Sequence, residues 1–152
     1  RAAYLPQVQE WSVEKLGVEI AGSAPKTAVL VFYTTWCPHC KAMFPDLLEL
    51  YKESDSAKVA FYFVVFDREP EIIANFLAHH EAPKEVTFWR MPEAENETLK
   101  RWAEAQKLAF KGGVPYVAVY GRDGKMFQDF YGRVKKGTIQ EALKLAQARD
   151  VP

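Results

Sequence analysis

Val29-Leu30-Val31-Phe32-Tyr33-Thr34-Thr35-Trp36-Cys37-Pro38-His39-Cys40-Lys41 is the stretch on which the reading of this chain turns. It opens on Ala28–Tyr33, a continuous and partly β-branched apolar run, as expected of a strand buried on both faces. It ends by entering a predicted helix, Pro38–Glu53. The apolar stripe of that helix is Cys40, Phe44, Leu47, Leu48 and Tyr51, spaced i, i+4, i+7, i+8 and i+11. Pro38 suits the first helical turn, where its missing N–H costs nothing. Pro45 removes a backbone bond to the Lys41 carbonyl and is expected to kink the helix. A Cys-x-x-Cys loop therefore joins a buried strand to a helix start.

That placement has chemical consequences. Cys37 and Cys40 are the chain's two cysteines, so a structural disulfide framework is excluded. A helix N-terminus presents unpaired N–H groups and about half a positive charge. A thiolate held there has its pKa lowered. Cys37, at the tip of the loop, is expected to be exposed and nucleophilic. Cys40, one turn inside on the buried face, is expected to resolve the mixed disulfide. Pro38 and His39 lie between them as the residues expected to tune redox behaviour. A cationic His39 imidazole would favour the thiolate further, and a stabilised thiolate makes the disulfide form more oxidising. Zinc would need four ligands, and here one Cys pair is accompanied by His79-His80, which point about a hundred degrees apart on a helix. Covalent haem attachment needs His directly after the second Cys, where Lys41 stands. The reading is therefore no metal and no cofactor beyond the Cys37–Cys40 pair itself.

Outward from the motif, strands and helices alternate. Leu5, Val8, Trp11 and Leu16 suggest an amphipathic N-terminal helix. Val59–Phe66 reads as a second buried strand. Glu71–His80 reads as a helix with Ile72, Ile73, Phe76 and Leu77 inward. Glu85–Arg90 is a short strand, and Asn96–Leu108 a helix burying Leu99, Trp102 and Ala103. Tyr116–Tyr120 and Met126–Tyr131 flank Gly121-Arg122-Asp123-Gly124, a hairpin signal that makes this pair antiparallel. Thr138-Ile139-Gln140-Glu141 has the form of a capping box opening a final helix, with Ile139, Ala142, Leu143 and Ala146 as its stripe. The expected class is α/β: a mixed central sheet with helices on both faces.

The 152 residues suit one domain with one core, spanning 1–152, and no repeat or linker divides it. A domain of this size buries about 70% of its unfolded surface, so it folds without staples. Twenty basic and 20 acidic residues cancel, which argues against nucleic acid or an anionic membrane as partner. Neither long apolar run, Ala28–Tyr33 or Val59–Phe66, approaches the roughly 20 residues of a spanning helix. No signal peptide is visible, and the chain starts at Arg1 rather than Met. Removal of an N-terminal signal or anchor is the expectation.

Thr35-Trp36-Cys37-Pro38-His39-Cys40-Lys41 after Val29–Tyr33 resembles the active site of the thioredoxin superfamily. Pro45, five residues after Cys40, matches that family's kinking proline. Gly113-Val114-Pro115 before a strand matches its cis-proline loop. The resemblance implies the thioredoxin fold over residues 27–148, with residues 1–26 as an N-terminal extension carrying an extra helix. It also implies a cis peptide bond at Pro115 and substrate backbone pairing at Val114. The Phe44-Pro45 pair, the central αβ insertion near 71–90 and the Gly121–Lys125 hairpin resemble the TlpA/ResA-like envelope oxidoreductases. The Cys-Pro-His-Cys motif itself resembles that of the oxidant DsbA. Two positions depart from the reductants of the superfamily. Val31 stands where thioredoxin has its buried acid, and Met43 where ResA-like members carry a glutamate.

The resemblance implies a protein thiol–disulfide oxidoreductase at a bacterial periplasmic or extracytoplasmic face, monomeric, acting on protein thiols and disulfides with a membrane redox partner. The direction of electron flow is left open between an oxidant and a reductant for cytochrome c maturation or isomerase recycling. A cytoplasmic thioredoxin and a non-catalytic protein-binding module are the competing readings. Three further residues are singled out. Trp36, beside the nucleophile, either shapes the substrate site or covers the sheet edge. Tyr116 faces either the core or the groove rim. Asp67, at a strand end, is either a proton relay near the disulfide or the cap of the next helix, where Pro70 supports the cap.

Overall fold

The computed structural model describes residues 2–149; Arg1 and residues 150–152, the two ends of the expected domain, lie outside the described residues. Within these described residues six strands form one sheet: β1 (Val8–Glu10), β2 (Thr27–Tyr33), β3 (Val59–Val65), β4 (Phe88–Arg90), β5 (Tyr116–Tyr120) and β6 (Met126–Tyr131), in the order β1-β4-β3-β2-β5-β6. The β1–β4, β4–β3 and β3–β2 pairs are parallel; β2–β5 and β5–β6 are antiparallel. Among the described residues five α-helices cover it: α1 (Val13–Ala21), α2 (Pro38–Glu53), α3 (Pro70–His79), α4 (Asn96–Ala105) and α5 (Lys136–Ala148). This is the thioredoxin fold with an added N-terminal strand and helix and a central insertion.

Strand β2 shows why the apolar run is continuous. All seven of its residues are buried, and they alternate between two cores. Val29, Val31 and Tyr33 pack with α2, α3 and α5. Ala28, Leu30 and Phe32 pack with α1 and α4 on the opposite face. Period-two alternation sends successive side chains to opposite faces, so a central strand between two helix layers needs apolar residues at every position.

Several expected elements shift. Val8 is in a strand, not in the N-terminal helix. Val8–Glu10 completes the outer edge of β4, a short 3-10 helix (Ala2–Gln7) precedes it, and α1 starts only at Val13. Ser12 caps α1, its hydroxyl accepting from the Lys15 N–H at 3.1 Å. Ile72 turns outward, 46% exposed, while Ile73, Ala74 and Leu77 supply the buried face of α3. The strand foreseen over Glu85–Arg90 contracts to Phe88–Arg90, and the α4 helix ends at Ala105 rather than Leu108. The Thr138 capping box is not formed. Helix α5 begins two residues earlier, at Lys136, with Lys135 as an extended N-cap making no side-chain bond. Lys136 Nζ instead reaches Glu49 at 2.5 Å and Glu53 at 2.8 Å, tying the start of α5 to the end of α2. Helix α2 runs unbroken through Pro45.

The β5–β6 hairpin forms as expected. Gly121 N–H donates to the Lys125 carbonyl at 2.8 Å, and Lys125 N–H to Asp123 Oδ1 at 3.1 Å. Gly124 has φ +77°, a left-handed conformation that glycine adopts without a Cβ penalty.

Candidate active site

The two cysteines sit where β2 hands over to α2. Cys37 is the extended N-cap of α2 (φ −74°, ψ 124°), followed by Pro38 in the first turn, and Cys40 lies one turn further in. Both are free thiols. Cys40 is 2% exposed, on the buried face as expected. Cys37 corrects the expectation of an exposed tip: it is only 7% exposed. The loop before β5 covers it, with Cys37 Sγ 3.8 Å from the Val114 carbonyl oxygen. Its remaining open side faces a groove of about 680 Å³ that is also lined by Trp36 and Val114.

The two sulfurs are held in opposite states. Burial opposes ionisation of Cys37, but three donors outweigh it: the Cys40 backbone N–H, the Cys40 thiol and the His39 backbone N–H. Together they hold the Cys37 thiol below the ordinary range. The two N–H groups are orphan donors of a helix start, to which the Cys37 thiol makes no formed capping bond. The contribution of His39 comes through its amide, while its side chain is exposed. Burial pushes the Cys40 thiol up to about 12, and the neighbouring Cys37 sulfur adds to that, while Thr34 works against it.

Thr34 and Thr35 were not foreseen as site residues. Thr34 Oγ1 is buried without a hydrogen-bond partner and turned towards the Cys40 thiol. Thr35 is the anchor for Asp67: its N–H donates to Asp67 Oδ1 at 2.9 Å, and its hydroxyl donates to Asp67 Oδ2. Asp67 is therefore neither aimed at a sulfur nor capping α3, whose N-cap is Glu69 without a side-chain bond. Its carboxylate is spent on the segment immediately before Trp36-Cys37. Tyr33, 1% exposed, also carries a hydroxyl without a partner, and burial followed by the charge of Asp67 pushes its pKa up. No spacing rule marks these residues. The only hint is that two hydroxyls separate an apolar strand from the motif.

The Val114–Pro115 peptide bond is cis, as expected of the loop facing the cysteines. Ala24–Pro25 is cis as well, with no signal in the sequence to mark it. Trp36 is 68% exposed at the groove mouth. Tyr116 does not reach the groove. It is fully buried against Phe32 and Phe110, and its hydroxyl donates to Asp129 Oδ2 at 2.7 Å. As the first residue of β5 its alternation directs it into the α1/α4 core. Tyr131 takes the exposed place instead: it is 66% exposed, and its hydroxyl lies over Gly113, where a Cβ would come within 2.2 Å of it. Among the described residues no three His, Cys, Asp or Glu side chains converge as a metal site. Nor is any helix among them long and apolar enough to cross a membrane.

Comparison with known proteins agrees with this geometry. Residues 15–147 match the thioredoxin-like domain family. Over 102 residues, 66% of this chain, the sequence is 28% identical to probable nucleoredoxin 1 of Arabidopsis thaliana; the match spans 16% of that relative's length. Among solved structures, a thiol-disulfide isomerase from Corynebacterium glutamicum superposes with a TM-score of 0.67 at 18% identity, covering 88% of this chain and 86% of that one. A secreted disulfide oxidoreductase from Mycobacterium tuberculosis superposes with a TM-score of 0.59 at 19% identity, covering 82% and 84%. These likenesses are of fold.

Proposed function

The chain belongs to the thioredoxin-like domain family, and from that premise we propose that it is a protein thiol–disulfide oxidoreductase in which Cys37 is the nucleophile and Cys40 the resolving thiol. The observation that carries this reading is the unequal pair: an acidified Cys37 at the helix start and a protonated Cys40 one turn behind it. The Cys37 thiolate attacks one sulfur of a substrate disulfide. That S–S bond breaks, a Cys37–substrate disulfide forms, and the departing substrate thiolate takes up a proton. Cys40 then loses its proton and attacks the Cys37 sulfur. The mixed disulfide breaks, the second substrate thiolate leaves, and the Cys37–Cys40 disulfide remains. The substrate has been reduced by two electrons and the protein oxidised by two; the reverse sequence oxidises a substrate dithiol. No cofactor beyond this pair enters the reaction.

An acidified Cys37 is a good leaving group, which favours donation of disulfides. The Cys-Pro-His-Cys motif fits the same direction. The working assignment is therefore an oxidant of extracytoplasmic protein thiols, monomeric, reoxidised by a membrane redox partner. The secreted mycobacterial neighbour supports that location. Trp36 and the Val114 backbone are the assigned substrate contacts, with the cis Pro115 shaping the loop and Pro38 and His39 setting the potential. Asp67 acts on the loop rather than as a proton relay. The test is exchange with a disulfide and a dithiol substrate, insulin and a cysteine peptide, with equilibration against glutathione to fix direction. Activity in both assays no higher than that of Cys37→Ser would overturn the assignment. A potential close to that of thioredoxin would reverse the direction.

A further inference from the structure

The groove beside Cys37 is more specific than exchange chemistry requires. Its floor is apolar: Met91, Leu99 and Phe110 are almost fully buried, and Phe66 is half-buried beside them. Met91 directly follows β4 and Leu99 lies on α4, so the segment after the central insertion forms the far wall of the site. The rim carries Arg68, Lys100 and Lys111 against a single acid, Glu93. Arg68 and Glu93 neutralise one another at 2.5 Å. Lys100 lies 3.5 Å from Glu97, an exposed pair that is worth little. Among the described residues Lys111 has no carboxylate within salt-bridge distance. The whole chain has zero formal net charge, so the cationic excess belongs to this face and not to composition. Lys111 also opens the Lys111-Gly112-Gly113-Val114 loop, so its charge lies next to the backbone that faces Cys37.

We propose that this groove selects an extended protein segment in which an aromatic or large aliphatic side chain beside the reacting cysteine is flanked by acidic residues. The proposal rests on the oxidoreductase reading and adds the substrate class to it. The apolar side chain is seated on the Phe66–Met91–Leu99–Phe110 floor and loses its contact with water. The acid meets Lys100 and Lys111, which steer encounter as rim charges do. Basic segments are disfavoured by the same charges.

The test uses the reduced full chain and two peptides identical except at the flanks. Each carries one cysteine, as a mixed disulfide with the same small thiol, next to Phe; the outer residues are Asp in one peptide and Lys in the other. At low salt the Asp peptide is expected to react about tenfold faster. That ratio shrinks at high salt and inverts in the Lys100→Glu, Lys111→Glu double variant. Because it is measured within one protein, a change in overall activity of the variant does not affect it. Equal rates for the two peptides, or a preference that survives in the double variant, overturn the proposal. A small aromatic disulfide lacking any peptide is the control. If it reacts and the peptides show no preference, only the groove assignment falls; if it reacts no faster than with Cys37→Ser, the oxidoreductase reading falls and the groove assignment with it.

Discussion

At the scale of single residues, the site is built from backbone donors and one misplaced-looking carboxylate. The anion of Cys37 is supported by the N–H groups of His39 and Cys40, so the identity of the His39 side chain matters less than the presence of its amide. A His39→Ala change keeps that donor, whereas His39→Pro removes it while remaining compatible with a first helical turn. The Cys37 pKa, followed by thiolate ultraviolet absorbance, should rise clearly in His39→Pro and little in His39→Ala. An equal rise in both would return the tuning to the imidazole. Asp67 makes two hydrogen bonds to Thr35 and is almost buried. Asp67→Ala should cost about 1.5–3 kcal/mol in chemical denaturation, the range for hydrogen bonds to a charged group; no loss would mean that water replaces the carboxylate without penalty. The cysteine pair was legible in the sequence because spacing and resemblance both mark it, and Pro115 because the resemblance alone does. The Asp67–Thr35 clamp was not, since it joins residues far apart in the chain. Tyr116 was ambiguous because the face to which a strand residue points depends on its register.

Among the elements, those with strong periodicity were readable and those set by tertiary partners were not. Helix α2 has the predicted bounds because its stripe and its opening Pro38 are local signals. Strand β1 has no sequence signal of its own, since three residues carry no period; pairing with β4 decides its form. The start of α5 follows the same rule. Thr138 has the composition of a cap, but the Lys136 contacts to Glu49 and Glu53 lie across the helix pair and are invisible locally. The element that holds the site is α2, anchored by Phe44, which packs against Tyr33, Phe63, Phe76 and Phe88. Phe44→Ala should cost about 3–5 kcal/mol, as large-to-small core changes do. A loss below 1 kcal/mol in urea unfolding would mean that the aromatic cluster closes over the cavity.

For the molecule as a whole, the cysteine pair couples to stability. Cys40 ionises near 9.0 ordinarily and at about 12 when folded. Between those values the unfolded chain has given up a proton that the folded chain retains, so unfolding releases protons and stability falls as pH rises. Below that window Cys40 contributes no slope. Cys37, with its lowered value, acts in the opposite sense: the stabilisation of its anion is present at alkaline pH and is lost as pH falls through its folded pKa. The reduced protein should therefore lose stability above about pH 9 faster than a Cys40→Ala variant, as read by urea denaturation at a series of pH values. Parallel curves would show that Cys40 is not held protonated by the fold. The two-layer architecture was legible at this scale from β2 alone, whose unbroken apolar run requires helices on both faces. The groove was not, because its floor and rim are collected from the β3–α3 turn, the β4–α4 connection with the start of α4, and the cis-proline loop.

The most direct test is alkylation of the reduced protein across a pH series, with the modified cysteine identified by mass spectrometry. Cys37 should react first, with a midpoint below that of a free thiol, and Cys40 should stay unmodified until strongly alkaline pH. A midpoint at or above the free-thiol value for Cys37, or modification of Cys40 at comparable rate, would contradict the account.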